Sequence, residues 1–267
     1  MKRLVYAAAA FAFLIPAAAD AHRAWLRPSA TVLSAKDTFV TVDAAVSNDL
    51  FYFEFRPLPL DGLQITAPDG STIAPENANS GKLRSTFDIP LKAPGTYRIA
   101  LVDDRLMAQY TDNGEKKRWR GKVENLKEIP ASASDVVVIQ SQRRMETFVT
   151  AGKTDETALK PVGKGLEMQP ITHPNDLVAN DEASFRLLLD GKPAADTKIE
   201  IVPGGVRYRN QPGDFSVTTD KDGVFKVKWP EAGLYWMEAS VTDDKPSVKE
   251  ASKRRSTYAA TLEVLPE

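Results

Sequence analysis

Apolar and polar residues alternate with a period of two along most of this chain, in short runs rich in β-branched and aromatic residues. Such runs predict strands with one buried face. In the first half they fall at Thr38–Val46, Phe51–Phe55, Leu63–Thr66, Leu83–Ile89, Thr96–Val102 and Val136–Val149, the last as one long or bent strand. Pro68-Asp69-Gly70 and Ala93-Pro94-Gly95 separate them, Pro presetting φ and Gly supplying a positive one. In the second half the runs are Ala183–Leu189, Lys198–Val202, Phe215–Thr219, Val224–Trp229, Leu234–Val241 and Tyr258–Leu265. Their turns are Asp190-Gly191-Lys192-Pro193, Asp220-Lys221-Asp222-Gly223 and Glu231-Ala232-Gly233.

This spacing predicts an all-β fold of two immunoglobulin-like β-sandwich domains. The domains are expected at residues 22–150 and 166–267, joined by the polar linker 151–165. A glycine just before an aromatic strand occurs in both halves, at Gly95-Thr96-Tyr97 and Gly233-Leu234-Tyr235, and this internal echo suggests related sandwiches. Helical periodicity and strand–helix alternation are both missing, which argues against a parallel α/β fold. Leu106–Ile129 differs from its surroundings, with several Lys and Arg residues around Trp119. It reads as a hairpin turning at Asp112-Asn113-Gly114, with a short helix from Lys122. Lys116, Lys117, Arg118 and Arg120 are either a patch for an acidic ligand or a solvated edge.

The first 21 residues break this pattern. Lys2 and Arg3 precede an apolar run from Leu4 to Ile15, then Pro16 and Ala19-Asp20-Ala21, an A-x-A cleavage site. Residues 1–21 therefore read as a secretory signal peptide, and the expected location is the periplasm. No run reaches the ~20 apolar residues of a membrane-spanning helix. Without cysteine there is no disulfide framework or thiolate metal site. A formal net charge of -1 makes nucleic acid an unexpected partner.

Cleavage after Ala21 exposes His22, one of only two histidines, as the first residue. Its α-amine and imidazole then form a bidentate chelate for a borderline divalent metal such as nickel or copper. Cleavage after Ala19 leaves Asp20-Ala21-His22, whose nitrogens form a square-planar set for Cu(II) or Ni(II). A solvated tail residue is the alternative. The other histidine, His173, lies in the loop Pro170-Ile-Thr-His-Pro-Asn-Asp176, and Glu167 lies six residues before it. His22, His173 and Glu167 are thus the candidate metal ligands, Glu167 only if the chain turns at Pro170. Asn175 and Asp176 either accept the second ring N–H of His173 or cap the turn after Pro174. Gly204-Gly205-Val-Arg207-Tyr208-Arg209 reads as an anion-binding strand or a hairpin edge. No G-x-S-x-G motif, catalytic triad or phosphate loop is present, so no enzymatic activity is expected.

The start His22-Arg-Ala-Trp25-Leu26-Arg-Pro28-Ser29, the junction Gly165-Leu166-Glu167-Met-Gln-Pro170 and the turns at Asp190–Pro193 and Thr219–Gly223 resemble the DUF4198 family, as does the strand Tyr258–Leu262. Ala24 departs from the aromatic residue usual at its position. The resemblance implies a two-part β-sandwich and a periplasmic role in nickel or cobalt uptake, with His22 as the matching first residue. The expected function is binding of Ni or Cu and transfer to a membrane transporter or outer-membrane receptor. The alternative is a structural or interaction module for a protein or glycan partner, with Trp25 and Phe51-Tyr52-Phe53 as core or contact residues. An oxidative copper enzyme with an N-terminal histidine brace ranks third.

Overall fold

The structure is a computed structural model that describes residues 22–34 and 38–267. The expected signal peptide lies outside the described residues. The first half forms β1 (Arg23–Pro28), β2 (Val32–Leu33), β3 (Thr38–Ser47), β4 (Arg56–Pro57), β5 (Leu63–Thr66), β6 (Thr72–Ile73), β7 (Glu76–Ser80), β8 (Ser85–Leu91), β9 (Gly95–Asp112), β10 (Glu115–Gly121) and β11 (Ser134–Ala151). The second forms β12 (Leu166–Pro170), β13 (Glu182–Leu189), β14 (Lys192–Pro193), β15 (Lys198–Pro203), β16 (Phe215–Thr218), β17 (Val224–Lys228), β18 (Gly233–Asp243) and β19 (Lys253–Val264). Three short 3-10 helices interrupt the described strands, at Val123–Glu128, Thr157–Leu159 and Val206–Tyr208.

A ten-stranded sheet runs through both halves in the order β16-β15-β18-β19-β11-β9-β5-β6, with β10 on β9 and β2 on β11. The halves join edge to edge where β11 and β19 pair in parallel from Ile139↔Lys253 to Glu146↔Ala260. Two smaller sheets complete the sandwiches: β1-β3-β8-β7 with β4 in the first half, and β12-β13-β14 with β17 in the second. Alternate residues of the shared strands serve different cores. On β19, Ala259 belongs to the first core and Tyr258, Ala260, Leu262 and Val264 to the second. On β18, Trp236 belongs to the first and Tyr235, Met237 and Ala239 to the second. Successive side chains point to opposite faces of a strand, so the two small sheets lie against opposite faces of the shared one.

Trp25 centres the first core. It is fully buried, donates Nε1–H to Ser47 Oγ at 2.8 Å, and packs edge-on against Phe51 with ring centroids 5.5 Å apart. Truncating a buried Trp costs about 3–5 kcal/mol. β1 also reaches across the junction: Trp236 Nε1 donates to the Ala24 carbonyl at 3.0 Å, and Arg23 pairs with Glu200 at 2.8 Å. Buried polar groups bind the parallel seam, with the Tyr258 hydroxyl donating to Glu146 at 2.9 Å and Arg144 donating to the same carboxylate at 2.9 Å. Burial pushes the Tyr258 hydroxyl well above its ordinary pKa, and the Glu146 charge adds to this.

Two expected strands have other structures. Phe51–Phe55 is a loop, because local bonds fold it into a turn in place of a ladder: the Tyr52 N–H donates to the Asp49 carbonyl at 3.1 Å, and Glu54 Oε1 accepts the Asn48 and Asp49 N–H groups, each at 2.8 Å. Phe51 there takes φ 65°. The Gly204–Arg209 stretch is a turn of 3-10 helix, because Arg209 folds back to donate to the carbonyls of Pro203 and Gly204 at 2.8 and 2.7 Å. The basic excursion is a hairpin turning at Asn113-Gly114, where Asn113 and Gly114 take φ 51° and 80°. Trp119 anchors it by donating to Glu128 at 2.9 Å on the 3-10 turn that follows Lys122.

Candidate functional site

His22 is exposed at the start of β1, and its ring lies on that of Phe55 with centroids 3.9 Å apart. It thus sits with the small sheet of the first half. His173 is half-buried and lies with the opposite face. Its Nε2 is 3.0 Å from Thr96 Oγ1 and 3.3 Å from the Asp155 carbonyl, while Nδ1 accepts the Asn175 N–H at 3.2 Å. An Nδ1 that accepts must be unprotonated, so the neutral ring carries its proton on Nε2 and donates it. Thr96 and Thr150 are register partners on the face opposite Tyr97, Ile99 and Val149, which fill the first core.

The shared sheet therefore separates the two histidines, and they do not share a site. Bonds to the protein engage both ring nitrogens of His173. Burial pushes its pKa below the ordinary 6.5, although the Asp155 carbonyl and the Asp176, Asp155 and Glu156 charges oppose this. Glu167 does not join either histidine. Its two oxygens accept the N–H groups of Val162 and Gly163, both at 2.7 Å, so it closes the 162–167 loop on itself. Among the described residues, no group of three or more His, Cys, Asp or Glu side chains is placed to hold a metal ion. Asn175 gives its backbone N–H to His173 where the sequence suggested an acceptor. Its side chain accepts from Thr150 at 2.8 Å and donates to the Phe148 carbonyl at 3.1 Å.

A cleft of about 500 Å³ lies between the halves. Leu50, Phe51, Tyr52 and Phe53 form one wall, and Pro203–Gly205, Tyr208 and Glu231–Tyr235 the other. Tyr208 is 78% exposed. Its hydroxyl bonds that of Tyr52, and the two rings meet edge-on with centroids 6.0 Å apart. The Arg207 guanidinium lies 4.8 Å from the Tyr52 ring centroid. The bond to Tyr208 is the main cause that pushes the Tyr52 hydroxyl above its ordinary pKa. Arg27 and Glu231 add charge to the rim. Sequence reasoning noticed Phe51-Tyr52-Phe53 and Arg207-Tyr208-Arg209 separately. Nothing in either run shows that the two loops face each other across residue 150.

Residues 19–243 match the family described as a domain of unknown function, DUF4198. The chain belongs to this family. No curated protein sequence matches it. Among solved structures, the D0-D1 domain of Intimin is 13% identical, with 90% of this chain and 97% of that one covered and a TM-score of 0.22. Trypsin-activated alpha-2-macroglobulin from Escherichia coli is 13% identical with a TM-score of 0.24, and the match covers 92% of the DUF4198 chain and 16% of that protein. The human OSCAR ligand-binding domain is 13% identical, covered to 97%, with 90% of this chain matched and a TM-score of 0.20. TM-scores this low carry no argument, and the two-sandwich fold rests on the strand pairing itself. Among the described residues, no helix is long and apolar enough to cross a membrane.

Proposed function

We propose that this DUF4198 chain is an exported, non-catalytic binding module acting in the periplasm, and that it holds a glycan in the cleft between its halves. The observation that carries this is the exposed Tyr52–Tyr208 pair beside an aromatic cleft of about 500 Å³, a size typical of small-molecule sites. Flat apolar rings with Arg27 and Glu231 at the rim suit a sugar, whose ring has apolar faces and a hydroxylated edge. Phe51 supports the reading, because a bulky residue with φ 65° is a strained backbone position of the kind that clusters at ligand sites. The test is a panel of oligosaccharides screened against protein starting at His22, followed by titration calorimetry. Tyr208→Ala and Tyr52→Ala should each weaken the best binder by about tenfold, as the loss of an aromatic contact of 1–1.5 kcal/mol predicts. No binder in the panel, or wild-type affinity in both variants, would overturn it.

A second reading is capture of Ni(II) or Cu(II) by His22, with transfer to a membrane transporter or outer-membrane receptor. It is favoured by the exposed ring at the start of β1, where cleavage after Ala21 would add a free amine. In this form His22 acts without His173 and Glu167, which are committed to other bonds. Calorimetry with nickel or copper chloride should show one equivalent bound, weakening as the pH falls and protons compete with the metal for the nitrogens. Blocking the amine should weaken binding as much as His22→Ala. Unchanged affinity in the blocked form would exclude it.

A further inference from the structure

The shared sheet extends beyond the small sheet that covers its first half, and the strip left open carries arginine. Leu101, Met145 and Ala259 are the last neighbouring positions of β9, β11 and β19 on this face to lie in the first core. The next row outward is Asp103, Arg143 and Thr257, then Arg105, Ser141 and Arg255, then Met107, Ile139 and Lys253. β10 adds Arg120 opposite Met107 and Arg118 opposite Gln109. On the reverse of β9, Leu106 and Ala108 are buried, so the hairpin has one covered and one open face.

Arg143, Arg105 and Arg120 stand on three adjacent strands, each diagonal to the next, a separation of about 7–8 Å. Arg105 holds Asp103, the one carboxylate in these rows of the four strands, through contacts of 2.6 Å from Nε and 2.5 Å from Nη2. Glu238 of β18 borders the block. Lys253 pairs with Asp244 at 3.8 Å, and Arg255 donates to Ser240 at 3.0 Å. Among the described residues no carboxylate pairs with Arg120. Partial burial, followed by the charges of Arg105, Arg143 and Arg56, pushes its guanidinium below the ordinary value, although the Asp103 charge opposes this. Arg56 comes from β4 at the edge of the small sheet, 5.9 Å from the Phe55 ring on which His22 rests.

Bringing guanidinium groups together is unfavourable until an anion enters, and their planar forks match carboxylate and phosphate oxygens. The four strands span about 14 Å, three times the strand spacing, so a single small anion would meet only part of the strip. We propose that this open face is a binding site for a ligand carrying two or more oxyanionic groups, carboxylate or phosphate, laid along the Arg143–Arg105–Arg120 diagonal. The site is separate from the aromatic cleft and does not depend on it.

Calorimetry at low salt with citrate, pyrophosphate and acetate tests the proposal on protein starting at His22. Citrate or pyrophosphate should bind at one equivalent and acetate much more weakly, with the tighter of the two identifying carboxylate or phosphate as the natural group. Arg105→Gln and Arg120→Gln should each weaken that binding by about tenfold, the value of one charge-assisted bond. Lys226→Gln, on an exposed pair with Glu182 elsewhere, should leave it within about twofold. Arg120 lies on the hairpin strand β10 and belongs to neither core, its guanidinium only partly desolvated, so its variant keeps the test valid if Arg105→Gln fails to fold. Binding no tighter than that of acetate, or equal affinity in Arg120→Gln and the wild-type chain, would overturn the proposal.

Discussion

Each half of the molecule turns into a long strand through the same device, with different surroundings. In the first, Gly95 opens β9 and the buried Tyr97 hydroxyl donates back to the Ala93 carbonyl at 2.9 Å. In the second, Gly233 opens β18 and the buried Tyr235 hydroxyl donates to the Glu231 carbonyl at 2.8 Å. Both are tyrosine corners, a hallmark of immunoglobulin-like sandwiches. The first corner is covered: Asp155 accepts the Thr96 N–H at 2.7 Å, and His173 reaches Thr96 from the second half. The second lies beside the open cleft, which Gly233, Leu234 and Tyr235 help to line. One motif thus serves as a joint between the halves in one place and as the wall of a candidate site in the other.

The sharpest way to break this comparison is to substitute the two glycines. Gly95 has φ 131°, and a Cβ there would lie 2.3 Å from Asp155 Oδ2 and 2.5 Å from Pro68 Cβ. Asp155 cannot retreat freely, because its carboxylate also accepts the Thr157 N–H at 2.9 Å. Gly233 has φ 145° with nothing within 4 Å of the built Cβ. Gly95→Ala should therefore cost about 3 kcal/mol or more, from backbone strain plus the clash, and Gly233→Ala about 1 kcal/mol, from backbone strain alone. Urea unfolding of the two variants measures both. Equal losses would mean that the joint around Gly95 is not the tighter of the two.

The sequence exposed the echo of glycine and aromatic residue, but not this difference in surroundings. Alternation and turn chemistry are local, so the strands, the Asn113-Gly114 hairpin and the two-sandwich plan were legible. The Phe51–Phe55 run misled because its β-forming composition is overruled by Glu54 bonding the backbone of Asn48 and Asn48's neighbour Asp49. The separation of His22 from His173 was not legible, since it depends on which face of β9 and β11 each loop covers. The parallel seam of β11 and β19 brings Arg143 near Arg255 across more than a hundred positions, and no spacing rule reports such a pairing. Arg120 was noticed as part of a basic hairpin, while its partners on neighbouring strands required the register.

A smaller effect comes from the tyrosines. The Tyr97 hydroxyl donates to the Ala93 carbonyl and also accepts the Ala93 N–H at 3.0 Å, so Tyr97→Phe removes two bonds. Tyr235→Phe removes one. The expected losses are about 2 and 1 kcal/mol, at roughly 1 kcal/mol for each bond. Thermal unfolding of the single and double variants would measure them. The corners lie in different halves and share no partner, so the losses should add. A clear shortfall in the double variant would show that they act as one unit.

The smallest difference expected is in pH dependence, and it belongs to the first corner. Unfolded, His173 takes up a proton near its ordinary 6.5, whereas burial lowers its pKa in the folded chain. A proton on Nδ1 would also turn the acceptor of the Asn175 N–H into a donor. Below 6.5 the unfolded state binds more protons, so this contribution to stability is complete above that pH, falls as the pH drops, and levels off below the folded pKa. Unfolding free energies measured in urea from about pH 7.5 to pH 5, the range where histidine titrates, should show this decline in the wild-type chain. His173→Gln should flatten it, while His22→Gln, which changes an exposed ring on the opposite side of the shared sheet, should keep the wild-type slope. If the slope survives in His173→Gln, the joint at Thr96 is held by Asp155 and the threonine pair, and the histidine is only packed against it.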